Sequence, residues 1–94
     1  MVNLDTMHMR KVTNFDLIKR ASYYFELPAE EKEYLQHYLW DLVQDYRSDL
    51  IKHGGDVTSL EIYSDLLYQF KKKENYYMCG LIQDSALRYE IDLI

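Results

Sequence analysis

The sequence contains very little cysteine, proline or glycine. One cysteine, one proline and three glycines occur in 94 residues. A single cysteine cannot form an internal disulfide and fits a reducing compartment. Most of the proline and glycine stands where helix ends are expected, and no segment shows the strict alternation of a β-strand. The sequence therefore predicts an all-α fold.

Long apolar runs and an excess of basic charge are also missing. No apolar stretch approaches the roughly 20 residues that a membrane-spanning helix needs, and residues 1–11 lack the apolar core of a secretory signal. Acidic residues outnumber basic ones by 16 to 11, which gives a net charge of −5. Because contacts with phosphates require a basic surface, direct binding of duplex nucleic acid is disfavoured. We expect a cytoplasmic protein without a membrane segment.

Tyrosine, by contrast, is abundant. The chain has ten Tyr, three Phe and one Trp, while a domain of this length forms only a modest core. The tyrosine hydroxyl favours water or a hydrogen-bond partner, so some of these rings are expected at a boundary or an interface. The alternative is that they surround the core with their hydroxyls in water and have no binding role.

Helix-start signals divide the chain into a flexible N-terminal arm, residues 1–12, and a single helical domain, residues 13–94, of about four helices. Thr13, Thr58 and Asn75 are good N-caps, and Pro28 is favoured at the start of a helix. Cations and glycine after the second helix indicate its end. The predicted helices run from Thr13 to near Leu27, from Pro28 to Lys52, from Thr58 to about Lys73, and from Asn75 to near the C-terminus.

Each predicted helix carries an apolar stripe at three- and four-residue spacing. The connection between the third and fourth helices is only a couple of residues long, which favours a C-terminal antiparallel αα-hairpin. Gly80 and Ala86 are small enough to let a partner helix approach the fourth helix closely. The stripes are Leu17, Ile18, Ala21, Tyr24 and Phe25 in the first helix; Leu35, Leu39, Leu42, Tyr46 and Leu50 in the second; Leu60, Tyr63, Leu67 and Phe70 in the third; and Cys79, Ile82, Ala86, Tyr89 and Leu93 in the fourth.

Residues 74–84 resemble the second half of the UVR motif, a short helical hairpin of bacterial nucleotide-excision-repair subunits and of some adaptors in protein quality control. The resemblance covers at most residues 60–94, and Gln83 stands where the family usually has Arg. It implies a hairpin that pairs with a second hairpin or with a partner protein. The matching positions are Asn75 at the cap, Tyr76 at the aromatic, Cys79 and Gly80 at the paired small residues, Ile82 at the aliphatic and Asp84 at the closing acid.

No catalytic, cofactor-binding or metal-binding set is recognisable in the sequence. His8, His37 and His53 each lack a His or Cys three or four residues further on. Cys79 has no histidine placed beside it by the sequence and is expected to be a small buried side chain. The candidate residues are instead those of a partner-binding surface on and beside the C-terminal hairpin. They are Tyr63, Tyr68, Tyr76, Tyr77, Gln83 and Asp84.

The favoured hypothesis is a non-catalytic protein–protein interaction domain, an adaptor or regulator, whose partner is another protein or a second copy of the chain. The alternative is a small acidic inhibitor of a nucleic-acid-handling enzyme, in which carboxylates take the place of phosphates. A continuous acidic face would favour the alternative, and interspersed lysines would count against it. A helix-turn-helix DNA reader is disfavoured by Asp41, Asp45 and Asp49 on the second helix.

Overall fold

A computed structural model describes residues 15–93. This part of the chain contains four α-helices, a short 3-10 helix at Tyr24–Glu26 and no β-strand, so the predicted all-α fold with an antiparallel C-terminal hairpin is confirmed. The predicted N-terminal arm, residues 1–12, and the predicted cap at Thr13 lie outside the described residues. The helices are α1, Phe15–Arg20; α2, Ala29–Lys52; α3, Ser59–Lys72; and α4, Tyr76–Arg88.

Helix α1 is shorter than predicted. It ends at Arg20, a turn follows, and the chain re-forms as the 3-10 helix Tyr24–Glu26. The break turns Tyr24 into the core, where its side chain is fully buried. Its hydroxyl donates to Asp84 Oδ2 at 2.7 Å. A continuous helix to Leu27 was therefore the wrong prediction, because a long-range contact of Tyr24 decides the conformation of this segment.

The longest helix, α2, has 24 residues and begins at Ala29, one residue after the predicted start, with Pro28 at the N-cap position. At 1.5 Å per residue it is about 36 Å long, and both α3 and α4 pack along it. It ends in a left-handed glycine, Gly54, with φ 85°. The amide of Gly55 then donates to the carbonyl of Leu50 at 2.8 Å, which completes a Schellman motif.

The starts of α3 and α4 are set by the two predicted caps. Thr58 Oγ1 accepts the amide of Glu61 at 3.2 Å, and Asn75 Oδ1 accepts the amide of Met78 at 3.2 Å. Asn75 also donates its own amide to the carbonyl of Phe70 at 2.9 Å, the Schellman bond that ends α3. One residue thus ends α3 and caps α4, which explains why the hairpin connection is so short.

The core lies between α2 and the hairpin, and Leu17 of α1 and Ala21 just after α1 close it on one side. The buried face of α3 is centred on Ile62 and Leu66, and Leu60, expected in its stripe, is largely exposed. Helix α4 ends at Arg88, earlier than predicted. The chain then turns at Glu90, with φ 59°, and residues 91–93 pack back against the hairpin. Within residues 15–93, no helix is both long and apolar enough to cross a membrane.

Candidate protein-binding surface

Three aromatic rings meet at the surface beside the beginning of α4. The Tyr77 ring lies 5.5 Å from the Tyr23 ring and 5.4 Å from the Phe25 ring, measured between centroids. Tyr23 and Phe25 keep 66% and 53% of their surface exposed. We call Tyr23, Phe25 and Tyr77 the aromatic cluster. The exposed ring of Tyr76 is next to it in sequence, on the first turn of α4.

Phe25 of this cluster lies directly on Gly80. A Cβ added to Gly80 would meet Phe25 Cε1 at 2.4 Å and Cζ at 2.7 Å, both far below van der Waals contact. The small residue in α4 thus accommodates Phe25, an aromatic ring from the 3-10 segment. The close approach expected here was that of another helix, so the partner of Gly80 was wrongly predicted. Glycine within a helix costs about 1 kcal/mol relative to alanine.

Tyr23 is held in an unfavourable backbone conformation. Its φ of 59° and ψ of 36° are in the left-handed region, which costs an L-residue about 1 to 2 kcal/mol. Residues with such backbone strain concentrate at functional sites, so the conformation of Tyr23 suggests a functional role for this residue. Here the conformation places the Tyr23 ring against Tyr77, where most of the Tyr23 surface still faces water.

A chain of hydrogen bonds fixes the 3-10 segment to α2 and α4 beneath the cluster. The Tyr24 hydroxyl accepts from Gln36 Nε2 at 2.8 Å and donates to Asp84. Arg88 Nε donates to Gln36 Oε1 at 2.6 Å. Burial raises the pKa of Tyr24 well above its ordinary value, and the bond from Gln36 partly offsets this effect. Because Tyr24 stays protonated, it can donate to Asp84, and this bond positions the adjacent Phe25.

A second buried pair joins the two helices of the hairpin. The hydroxyls of Tyr63 and Ser85 are 2.8 Å apart. Since Ser85 Oγ donates to the carbonyl of Gln36 at 2.9 Å, Tyr63 is the donor to Ser85. Burial raises the pKa of Tyr63 to about 12. This pair ties α3, α4 and α2 together in the core.

The six candidate residues do not lie together in the structure. Tyr63 is fully buried, which corrects the expectation that it would lie on the surface, and it is a core residue. Tyr76 and Tyr77 lie at the aromatic cluster, and the Asp84 carboxylate bonds to Tyr24 just beneath it. Tyr68 and Gln83 are exposed and line a separate groove along the hairpin.

Sequence reasoning missed Tyr23 and Phe25 as surface residues. Phe25 was assigned to a continuous helical stripe, and Tyr23 had no distinguishing signal. The available signal was Gly80, a glycine in the interior of an otherwise good helix, which indicates that something approaches the backbone closely. Which residue approaches depends on the break after Arg20, and that break is not marked by proline or glycine.

A further group of titratable side chains lies where α2 meets the end of α4. There His37 contacts the Tyr89 hydroxyl and Glu33, and Glu33 pairs with Arg88. Cys79 is buried against the core, and burial raises the pKa of its thiol, with nearby Lys71 acting in the opposite direction. Among residues 15–93, no three His, Cys, Asp or Glu side chains are grouped so that they could hold a metal ion.

Comparison with known proteins gives no relative from which a function could be transferred. No protein-family model matches the chain, and neither a curated protein nor a solved structure matches it significantly.

Proposed function

We propose that this chain is a non-catalytic protein-interaction domain, a cytoplasmic adaptor or regulator, that binds a partner protein through the aromatic cluster. The observation that carries the proposal is that two features which hold the aromatic cluster at the surface lower the stability of the fold. Tyr23 has a strained backbone, and Gly80 replaces a better helix former beneath Phe25. Each feature costs roughly 1 kcal/mol, although both rings remain more than half exposed. This cost supports a binding role for the cluster, because strained backbone and locally unfavourable residues concentrate at functional sites.

The chemistry of the cluster suits a protein partner. Large, stiff aromatic rings lose little conformational entropy on contact and are enriched in the centres of protein interfaces. The hydroxyls of Tyr23 and Tyr76 can form hydrogen bonds at the rim, and Glu26 adds an exposed carboxylate next to Phe25. A partner with an apolar centre flanked by hydrogen-bond donors or cations would complement this surface.

The resemblance of the hairpin to the UVR motif is part of the same proposal. It is supported by the antiparallel packing of α3 and α4, by the cap at Asn75 and by the buried Cys79 and Gly80. In this chain the second small position receives Phe25, so the cluster and the motif-like segment occupy the same end of α4. A common ancestry would make pairing with another helical hairpin the expected mode of binding.

Quantitative capture with matched variants tests the proposal. The tagged wild-type chain and the Tyr23→Ser/Tyr76→Ser variant would be used to capture proteins from a lysate of the cells that naturally make it. We expect at least one stoichiometric partner whose capture falls by at least about 30-fold in the double variant, because the variant removes two aromatic anchors of the interface.

Tyr34→Ser is the matched control, because Tyr34 is also an exposed tyrosine but lies on α2, where it contacts Tyr38 and Arg20. This variant should retain the same partner. A partner retained equally by all three chains would show that the aromatic cluster does not bind it, and absence of any partner would contradict the proposal altogether.

A second candidate function is supported by the charge of α2. Within this helix, every exposed charged residue from its start to Ser48 is an acid, and the cations Lys32 and Arg47 are partly buried. Arg47 donates to the carbonyl of Val57 at 2.8 Å. We propose as the alternative an inhibitor that presents these carboxylates to the phosphate-binding surface of a nucleic-acid-handling enzyme. The exposed acids are Glu30, Glu31, Glu33, Asp41 and Asp45.

The two functions are distinguished by the same capture experiment. A partner of the acidic face should be lost from the Asp41→Lys/Asp45→Lys variant, released as salt is raised, and displaced by nucleic acid. A partner of the aromatic cluster should be insensitive to all three changes. Failure of nucleic acid to displace any captured protein would exclude the inhibitor function.

A further inference from the structure

A groove runs along the hairpin between α3, α4 and residues 91–93. Its walls include Leu67 from α3, Ala86 from α4, and Ile91 and Leu93 from the segment after α4, and its volume is about 380 Å³. A smaller depression of about 180 Å³ continues beyond Leu93 toward Tyr68. Tyr23 and Phe25 of the aromatic cluster line neither. The groove is therefore distinct from the aromatic cluster, and its walls carry both apolar and charged side chains.

Leu87 projects from the edge of this groove into water. It lines the groove, yet 78% of its surface is exposed. Among residues 15–93 only Phe15, which equals it, is a large apolar residue with so much of its surface exposed. Cavities on the order of 150 Å³ already accept an apolar group of benzene size, so the groove is large enough for a leucine side chain. A protruding apolar group and a matching recess thus lie side by side on one face.

The charges along the groove have both signs and stand on different walls. Lys71 belongs to the α3 wall, Asp84 to α4 and Asp92 to the segment after it. When a twofold axis relates such a face to a second copy, the projection of one copy can be set against the recess of the other, and the cation of one against an acid of the other. A partner of one charge sign would match only part of it.

We propose that the occupant of this groove is a second copy of the chain. In the resulting isologous dimer, Leu87 of each copy enters the groove of the other, and Lys71 of each faces Asp92 of the other. The aromatic cluster is left free, so that the dimer presents two clusters for the partner of the proposed function. The dimer does not depend on that function, and the experiments below measure self-association alone.

Sedimentation equilibrium of the full chain over a wide range of concentration tests the dimer. We expect a monomer–dimer equilibrium with a Kd below about 100 μM, within the range of weak specific association. Leu87→Asp should raise this Kd at least about 30-fold, because it removes the central anchor and places a charge in the recess. Phe15→Asp, at an equally exposed residue on α1, should leave the Kd unchanged.

Charge reversal tests the twofold arrangement specifically. Lys71→Glu should weaken the dimer about five-fold, as should Asp92→Lys, the size expected for a pair at an interface rim. The Lys71→Glu/Asp92→Lys double variant should restore it. Asp84 is not used because Tyr24 bonds to it. Circular dichroism should show an unchanged fold for Leu87→Asp, since the side chain is exposed. A monomer at all concentrations, a dimer indifferent to Leu87→Asp, or no restoration in the double variant would overturn the proposal.

Discussion

The Phe25 ring lies so close to Gly80 that a single added methyl group in α4 would overlap it, with 2.4 Å between the new Cβ and Phe25 Cε1. The two residues come from different elements, the 3-10 segment and α4, and their contact sets the position of the aromatic cluster. The Phe25 ring is partly exposed and can swing outward, which makes the contact measurable without unfolding the protein.

A double-mutant cycle on this pair gives the first prediction. Gly80→Ala alone should change the free energy of unfolding by less than about 1 kcal/mol, because the gain in helix propensity is offset by displacement of Phe25. In the Phe25→Ala background, the same substitution should stabilise by about 1 kcal/mol, since nothing then opposes the new methyl group. Urea denaturation, followed by the fluorescence of Trp40, the single tryptophan, measures both changes in the free energy of unfolding. If Gly80→Ala changed the free energy of unfolding equally in the two backgrounds, Phe25 and Gly80 would not be in contact.

The second prediction concerns the ends of α3 and α4. Both end in Schellman motifs with glutamate in the left-handed position, Glu74 at φ 58° and Glu90 at φ 59°. Glu74→Gly and Glu90→Gly should each stabilise the protein by about 0.5 to 1 kcal/mol, because glycine adopts this conformation without the Cβ penalty. Gly54→Ala, at φ 85° and in open space, is the reciprocal change and should destabilise by a similar amount in the same denaturation experiment.

The third prediction tests the buried Tyr63–Ser85 hydrogen bond. Ser85→Ala should cost about 2 kcal/mol, since it leaves the Tyr63 hydroxyl without its partner in the core. Tyr63→Phe should cost only about 1 kcal/mol, because Ser85 keeps its bond to Gln36. Adding Ser85→Ala to Tyr63→Phe should then cost less than Ser85→Ala alone. Additive costs would show that the two hydroxyls do not interact.

The fourth prediction is a loss of stability in alkali. The ordinary pKa of tyrosine, about 10, applies to the unfolded chain, whereas burial in the folded protein raises the pKa of Tyr63 to about 12. Between these values the unfolded state has released the proton that the native state keeps. Stability is therefore constant below pH 10 with respect to this group and falls as pH rises to about 12.

Tyr63→Phe provides the control for the alkaline effect. The variant should lose part of the pH dependence of its unfolding free energy in this window, with the remaining part due to Tyr24 and Tyr89, whose pKa values are also raised. Parallel curves for the wild type and the variant would contradict the assigned role of Tyr63. Ultraviolet titration of tyrosinate in the native protein measures the pKa values directly.

The parts of the fold that sequence predicts well are those governed by local chemistry. The caps at Thr58 and Asn75 and the left-handed glycine at Gly54 each act within a few residues, and all three lie where the sequence placed them. The short connection between α3 and α4 likewise predicts their antiparallel packing, because two helices joined so closely have few other arrangements.

The candidate site was less predictable because its contacts are long-range. The break after Arg20 lets Tyr24 reach Asp84 and Phe25 reach Gly80, and no local signal fixes either pairing. Tyr63 shows a further limit of prediction from the sequence. Its position in an apolar stripe is compatible with both core and surface, and the buried serine that satisfies its hydroxyl is recognisable only once α3 and α4 are packed together.

The central claim is that Tyr23 is kept in a strained conformation for binding, and Tyr23→Gly tests it most directly. Glycine relieves the strain at φ 59° but removes the ring, so the free energy of unfolding should stay within about 1 kcal/mol of wild type. Binding of the partner identified by capture should meanwhile weaken at least about 30-fold, measured by titration calorimetry. Unchanged binding by a stable Tyr23→Gly protein would contradict the account.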